Sequence, residues 1–286
     1  MDFLQFAAQL NQEGAACLAA AVTSSGSDVI NNKSAVAAAA AFEYFRNALE
    51  VMLFGVPDGK ELLANNPEFA QGVKPLFVQT QRYRNLLWTN TTNSAACATN
   101  DAVHPPHGRA EQAAETNTRS STTTTCIFRK AFIFQPGEDR DRLLSVRIRT
   151  YLAMILFNLA MTIHQTSTTN HDQNLTTDGG RGKQETGALM MALELYDAGF
   201  DLLLQDEHCC ADDWSTNISL AILNNVAQVH WALSDFAKAS RVLELQKGLL
   251  DIIVSNQRPH TFSDQEMELF VLNTHLLQAP SGAAAA

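Results

Sequence analysis

The stretch LAILNNVAQVHWALSDFAKASRVLELQKGLL (residues 220–250) carries two apolar stripes of helical period, separated by a short polar break. The break, Ser234–Asp235, predicts a tight reversal in which the aspartate caps the second helix. Two helices that return on each other need small side chains where their backbones approach to about 8–10 Å, with large side chains between them. The stretch therefore predicts an antiparallel helical hairpin. Its small crossing residues are Ala227, Ala239 and Gly248.

The same helical periodicity recurs over residues 2–22, 35–53, 143–165, 185–204 and 263–277. Ser34 is a candidate N-cap of the second of these helices, and Ser263 with Glu266 fits a capping box at the start of the last. We therefore predict an all-α fold. Its parts are a first helical hairpin (1–56), an irregular segment (57–142), two further hairpins with a capping helix (143–278) and a frayed tail (279–286).

Residues 89–125 differ from the rest of the chain in composition. Thr, Ser, Asn and Ala dominate, and no aromatic residue occurs between Trp88 and Phe128. Such a stretch buries too little apolar surface to offset its ordering entropy, so we predict a disordered insert. The following CIFRKAFIF, residues 126–134, predicts either a short strand or an extended segment packed against the helices. A second polar insert separates the helices at 143–165 and 185–204.

The charge balance argues against several classes of protein. The 286-residue chain has 30 acidic and 20 basic residues and a net charge of -10, which opposes binding to nucleic-acid phosphates. Its apolar runs are shorter than the roughly 20 residues that cross a bilayer, and the initial MDFLQ lacks the basic region of a signal peptide. Five cysteines without framework spacing indicate reduced thiols. We expect a cytoplasmic or nuclear protein that binds neither nucleic acid nor membrane.

Motifs of enzymes and of metal sites are weak in this sequence. EHCCADD, residues 207–213, groups His208, Cys209 and Cys210, but adjacent cysteines rarely reach one ion and no second ligand pair follows at metal spacing. Phosphate-loop, kinase, hydrolase and dinucleotide signatures are missing. We expect a non-enzymatic protein without metal or cofactor. The alternative is an all-α enzyme that uses His164, His230 or the region around His208.

The hairpin at residues 220–250 resembles the tetratricopeptide repeat (TPR), a helix–turn–helix unit of about 34 residues. Ala227 matches the family's small position in the first helix. Ala239 and Leu243 match the small and large positions of the second helix. The later small position falls on Gln246, which departs from the family's pattern.

Two further units match the repeat less completely. The phrase Asn158-Leu159-Ala160 repeats Asn225-Val226-Ala227, and Gly14 takes the small position in the first unit. The predicted partner helices show small, large, small spacing. The packing positions of these units are Gly14, Ala41, Phe45 and Ala48 in the first, and Ala160, Ala192, Tyr196 and Gly199 in the second. Degenerate units with polar inserts are also similar to TPR-like proteins of unicellular algae such as diatoms.

TPR hairpins stack into a short α-solenoid whose first helices line a concave groove, so the resemblance implies a peptide-binding surface. Rings and thioethers supply contact area for a peptide, and amides pair with its backbone. The family phasing places eight residues in this groove: Asn11, Phe157, Met161, His164, Gln165, Asn224, Gln228 and Trp231. A generic helical bundle with Phe157 and Met161 in its core is the alternative.

The resemblance therefore implies a scaffold that binds another protein or peptide. TPR proteins that hold a chaperone's C-terminal carboxylate use Lys and Arg in the groove. The corresponding positions here are apolar or amide, so no carboxylate clamp is expected: Ala8, Asn11, Met154, Asn158, Ala221 and Asn225. A structural subunit with an exposed apolar face remains an alternative. An open groove with Phe157 and Met161 would favour the scaffold, and His164 beside His230 in one enclosed pocket would favour the enzyme.

Overall fold

The computed structural model describes residues 2–23, 28–65, 67, 69–73, 75–81, 83–84, 127–134, 144–172, 181–205, 213–255 and 262–276. Within these ranges all regular structure is helical, which confirms the predicted all-α class. The predicted insert at 89–125 and the predicted tail at 279–286 lie outside the described residues, as do residues 207–212 of EHCCADD.

The helices are α1 (Phe3–Thr23), α2 (Asp28–Glu50), α3 (Pro57–Asn65), α4 (Leu144–Asp172), α5 (Arg181–Leu204), α6 (Asp213–Ala232), α7 (Phe236–Ser255) and α8 (Asp264–Leu276). Most of them begin and end close to the bounds that the sequence predicts; the start of α2 and the end of α4 differ, and α3 lies in the segment predicted to be irregular. A wide turn at Val51–Gly55 ends α2. Residues 69–73 and 75–81 are also helical.

Helices that follow each other pack as pairs. The pairs α1–α2, α4–α5 and α6–α7 have the most extensive contacts, and contacts of α2 with α4 and of α5 with α6 link one pair to the next. The first helices of neighbouring pairs also touch, α1 with α4 and α4 with α6. Helix α8 packs on α7. The pairs enclose a large apolar core that includes Phe42, Phe45, Leu152 and Tyr196.

The reversal between α6 and α7 has the predicted form. Ser234 takes a left-handed conformation with φ 61°, the conformation in which helices commonly end. The amide of Asp235 donates to the carbonyl of His230 at 2.8 Å, and the amide of Ser234 donates to the carbonyl of Trp231 at 2.9 Å. The Asp235 carboxylate accepts from the amide of Lys238 at 3.3 Å. These bonds confirm the predicted turn and its aspartate cap.

The small residues of the predicted crossings are buried, with the exception of Gly248. A Cβ on Gly14 would lie 2.7 Å from the Phe45 ring, so α1 and α2 touch here through a glycine. In α5, a Cβ on Gly199 would lie 3.5 Å from the carbonyl oxygen of Ala153 in α4. All the packing positions are buried: Gly14, Ala41, Phe45, Ala48, Ala160, Ala192, Tyr196, Gly199, Ala227, Ala239 and Leu243.

Gly248 is an exception among the predicted crossing residues. It is exposed, and a Cβ there would meet nothing within 4 Å. The backbones of α7 and its neighbours therefore do not meet at this position. The nearby Gln246 is buried, and its amide nitrogen donates to the carbonyl oxygen of Phe270 in α8 at 3.3 Å. The departure from the repeat pattern at Gln246 thus serves the contact with α8.

Two helix ends differ from the prediction. Ser34 is not the N-cap of α2, which begins at Asp28; its hydroxyl donates instead to the carbonyl of Ala21 at 2.8 Å. Helix α4 continues into the predicted polar insert as far as Asp172. The hydroxyl of Ser167 donates to the carbonyl of Ile163 four residues earlier, so polar side chains of this stretch bond to the helix itself. The capping box of Ser263 and Glu266 is confirmed, with bonds of 2.7 and 3.3 Å.

The fold makes a testable prediction at Ala239. This residue is fully buried in α7, whereas Ala237 in the same helix is exposed. We expect Ala239→Leu to lower the free energy of unfolding by about 1–3 kcal/mol, because the added side chain overpacks a helix contact. The matched variant Ala237→Leu should change it by less than about 0.5 kcal/mol. Urea unfolding measures both; equal effects would contradict the helix pairing.

Candidate functional site

Three asparagines from the first helices of the three pairs meet at one segment of the chain. They are Asn11 in α1, Asn158 in α4 and Asn225 in α6, all fully buried. The segment, residues 127–134, is neither helix nor strand. The predicted short strand is therefore absent, because the buried backbone groups of this segment pair with side chains rather than with a neighbouring strand.

Asn158 pairs with both backbone groups of Phe132. Its side-chain oxygen accepts from the Phe132 amide at 2.9 Å, and its nitrogen donates to the Phe132 carbonyl at 2.8 Å. The same nitrogen donates to the side-chain oxygen of Asn11 at 2.9 Å. Asn11 in turn donates to the Phe132 carbonyl at 2.9 Å. The amide of Asn158 thus joins α1, α4 and the segment.

Asn225 makes the equivalent pair with Phe128. Its side-chain oxygen accepts from the Phe128 amide at 2.9 Å, and its nitrogen donates to the Phe128 carbonyl at 3.1 Å. The nitrogen also donates to the hydroxyl of Tyr196 at 3.1 Å. Asn224 and then Asn273 of α8 continue this network at 3.1 and 2.7 Å. Two repeat-related asparagines therefore hold residues that lie four positions apart.

The paired residues place their rings in one aromatic cluster. The Phe128 ring lies 6.1 Å from Phe157, and the Phe132 ring lies 5.1 Å from it, measured between centroids. From the other side, Phe262 and Phe270 each approach Phe128 to 5.4 Å. The segment is thus enclosed between α4 and the α8 region. Its Arg129 and Lys130 are exposed, and the Lys130 ammonium lies 3.4 Å from the Glu266 carboxylate.

The residues predicted to line the groove do not form an open surface. Phe157 and Met161 are fully buried, and Phe157 lies against the segment. Asn224 bonds to Asn273 in α8. Trp231 is partly buried and packs at the hairpin turn, where its ring lies 4.8 Å from Phe236. The groove positions are mostly buried, with the segment and α8 against several of them: Asn11, Phe157, Met161, His164, Asn224 and Gln228 are buried, and Gln165 and Trp231 are partly buried.

Gln228 follows Asn225 by three residues, on the same side of α6. Its side chain is buried. Neither the nitrogen nor the oxygen of its amide has a hydrogen-bond partner within the part of the chain that the structure describes. An unpaired buried amide costs about 1–3 kcal/mol, so this position needs an explanation beyond packing.

The two histidines of the alternative enzyme lie in different surroundings. His164 is buried in α4, and its ring lies 6.3 Å from that of Tyr196. Burial, with a smaller contribution from Arg129, lowers the pKa of His164 to about 4. His230 lies in the last turn of α6, where burial lowers its pKa while the Asp235 carboxylate acts in the opposite direction. His164 is therefore a neutral core side chain at pH 7.

Asn158 and Asn225 hold the segment, although they are not among the eight residues predicted to bind a peptide. The comparison with the carboxylate clamp does place both at groove positions, where the amides argue against a clamp. The signal that identifies them is the repeated phrase of asparagine, aliphatic residue and alanine at Asn158 and Asn225. In the sequence alone, this phrase indicates a small residue at a contact between helices. It marks instead the amide that faces the segment, followed two residues later by the alanine that packs within the pair.

The chain matches no protein-family model, no curated protein and no solved structure. Across the residues that the structure describes, every helix is too short or too polar to span a membrane. Within the same residues, His, Cys, Asp and Glu side chains form no group of three or more that could hold a metal ion.

The asparagine pairs predict the effect of a charge at Asn158. We expect Asn158→Asp to lower the free energy of unfolding by about 3 kcal/mol or more, because it loses both donors and buries a carboxylate beside two oxygens. Asn65 is exposed, so Asn65→Asp should cost less than about 0.5 kcal/mol. Chemical denaturation compares the two variants. Similar losses would mean that the pairing does not stabilise the fold.

The buried His164 predicts a loss of stability in acid. Its pKa of about 4 in the folded chain lies below the ordinary value of about 6.5. Between these two values only the unfolded chain binds the proton, so stability falls as the pH falls. From pH 7 to pH 5 we expect His164 to cost about 2 kcal/mol. The difference in unfolding free energy between wild type and His164→Gln, measured at both pH values, isolates this effect; a constant difference would contradict it.

Proposed function

We propose that the chain is a non-enzymatic TPR-like scaffold that binds peptide segments of other proteins in the groove formed by α1, α4 and α6. The observation that carries this proposal is the pairing of Asn158 and Asn225 with the complete backbone of one residue each. In each pair the asparagine side chain hydrogen-bonds to a backbone N–H and a backbone C=O, which every non-proline residue has. It is therefore a device for holding a polypeptide segment, whichever protein supplies it.

The packing of the helix pairs supports a repeat architecture. Neighbouring pairs touch through the second helix of one and the first helix of the next, α2 with α4 and α5 with α6. Stacked hairpins of this kind form short solenoids in which the first helices share one face. Asn158 and Asn225 occupy the same position of the repeat phrase, and both face the segment. We therefore propose a three-unit TPR-like solenoid, closed at its C-terminal end by α8.

Gln228 supports binding of a further backbone group. A helical position that buries an unpaired amide destabilises the free protein. That cost disappears when a ligand's peptide group pairs with the amide, as the amides of Asn158 and Asn225 pair with theirs. An apolar side chain in place of Gln228 is therefore expected to stabilise the free chain and to weaken peptide binding.

The proposal is tested by selecting peptides from a displayed random library on the immobilised full chain that carries Phe128→Ala and Phe132→Ala, which weaken the hold of residues 127–134 on the asparagine pairs. Selected peptides should bind with micromolar dissociation constants in a fluorescence anisotropy titration. Gln228→Leu should weaken this binding at least tenfold while raising the melting temperature, because it removes an unpaired buried amide. Gln71 is exposed and lies outside the cleft beside residues 127–130, so Gln71→Leu serves as the control and should leave binding within twofold. Unchanged affinity of Gln228→Leu, or a library without binders, would refute the proposed function.

A structural subunit is the second candidate. Its supporting observation is an exposed apolar stripe on α7, the last helix of the third pair, where Leu245, Ile252 and Val254 are 60%, 48% and 69% exposed. Leu245 and Ile252 lie seven residues apart and therefore on one face. Sedimentation velocity distinguishes the candidates. Self-association that Leu245→Lys abolishes would favour the subunit. A chain that stays monomeric at about 100 µM would favour the scaffold.

A further inference from the structure

The segment that fills the groove belongs to the chain itself, and its sequence shows what the groove accepts. Residues 127–134 read IFRKAFIF. The two asparagine pairs hold Phe128 and Phe132, and both rings are buried. The distance between the repeat units therefore fixes a register of two phenylalanines four positions apart.

The residues between the two phenylalanines define the charge of the occupant. Arg129 and Lys130 are exposed, and Lys130 lies 3.4 Å from Glu266. The whole chain carries a net charge of -10, which attracts basic segments from solution. The basic pair Arg129–Lys130, between the two phenylalanines, is therefore attracted both by the Glu266 carboxylate and by the net negative charge of the chain.

The segment is covered on most sides but is open to solvent on the side that faces α8. A cleft of about 460 Å³ lies beside residues 127–130 and is bordered by Ser263, Gln265, Glu266 and Leu269 at the start of α8. The first half of the segment, residues 127–130, is therefore reached from solvent, although the rings of Phe128 and Phe132 are covered. Because the segment is held by side chains and not by a sheet or helix of its own, removing it breaks no backbone ladder.

We propose that the groove of Asn11, Asn158 and Asn225 accepts a Phe-basic-basic-x-Phe segment of a partner protein, and that residues 127–134 are an internal ligand which this partner segment replaces. This inference rests on the proposed scaffold function and names the class of partner. Both ligands use the same asparagine pairs, so they compete. The internal ligand is tethered, which gives it a high effective concentration. The wild-type chain therefore binds a separate segment weakly until the internal ligand is displaced.

The first test uses the full chain with Phe128→Ala and Phe132→Ala, which weakens the internal ligand. A labelled synthetic peptide with the sequence of residues 126–134 is titrated by fluorescence anisotropy. We expect micromolar binding to this variant and at least tenfold weaker binding to wild type. Ile133 belongs to the same segment and is exposed, so Ile133→Ala is the matched control and should behave as wild type. A variant that keeps its helical circular dichroism but does not bind the peptide would overturn the proposal.

Modified peptides identify the contacts that carry the binding. N-methylation of the second phenylalanine removes the amide proton that Asn158 accepts and should abolish binding. Replacing the phenylalanines that correspond to Phe128 and Phe132 with alanine should do the same. Glutamate in place of the lysine should weaken binding severalfold, because it faces Glu266. Equal affinity of all these peptides would show non-specific adsorption and would overturn the proposal.

The second test leaves every core residue unchanged. Protease sites are inserted within residues 110–120 and 137–141 of the full chain, and cleavage frees the segment at both ends. Labelled peptide added in excess should then co-elute with the cleaved protein in size-exclusion chromatography. Failure to exchange, or loss of helical circular dichroism as the segment leaves, would mean that residues 127–134 are permanent core and would overturn the proposal.

The outcomes separate this inference from the function on which it rests. If the synthetic segment fails while library-selected peptides of other sequence still bind and depend on Gln228, the partner class is wrong and the scaffold function stands. If neither binds the opened groove, both are wrong. Dimers that form by exchange of residues 127–134 between copies, seen by sedimentation, would assign the groove to a second copy of this chain and overturn the partner proposed here.

Discussion

The structure depends on how the backbone of residues 127–134 is hydrogen-bonded. A segment that is neither helix nor strand has no ladder of its own, and burying its N–H and C=O groups unpaired costs about 1–3 kcal/mol each. Asn158 and Asn225 remove this cost for Phe132 and Phe128, since a primary amide carries both an acceptor and donors. Asn11 joins the same network, so the first helices of all three pairs meet at one segment.

The asparagine amides and the phenylalanine rings contribute differently to the contact with residues 127–134. The amide pairs hold any backbone, and they therefore stabilise a segment without selecting its sequence. The rings of Phe128 and Phe132 select the register, because both must reach the cluster around Phe157. A shift by one residue would bring an exposed side chain such as Arg129 or Ile133 into that cluster. Burying an unpaired cation there costs far more than one lost hydrogen bond, so the register is firmly set.

Local signals of the sequence predicted the local structure well. The turn at Ser234–Asp235 and the capping box at Ser263 follow from neighbours in the chain, and both are present. The length of α4 was underestimated because its apolar periodicity ends near residue 165, whereas the helix continues to Asp172; the hydroxyl of Ser167 bonds to its own helix there, and periodicity does not register such a bond. The site was predicted in part. Asn158 pairs with a residue 26 positions away and Asn225 with one 97 positions away. No pattern along the sequence specifies such partners.

A filled groove also changes how substitutions in it must be interpreted. Asn158, Asn225 and Phe157 stabilise the folded chain through contacts that the proposed partner segment would also use, so substitutions at these positions would be expected to affect folding and the proposed binding together. Gln228 differs because its buried amide makes no hydrogen bond within the described residues. Only a residue of this kind can separate recognition from stability. Gln228, whose amide has no hydrogen-bond partner within the described residues, therefore tests the proposed binding role more directly than Asn158 and Asn225, whose amides are paired.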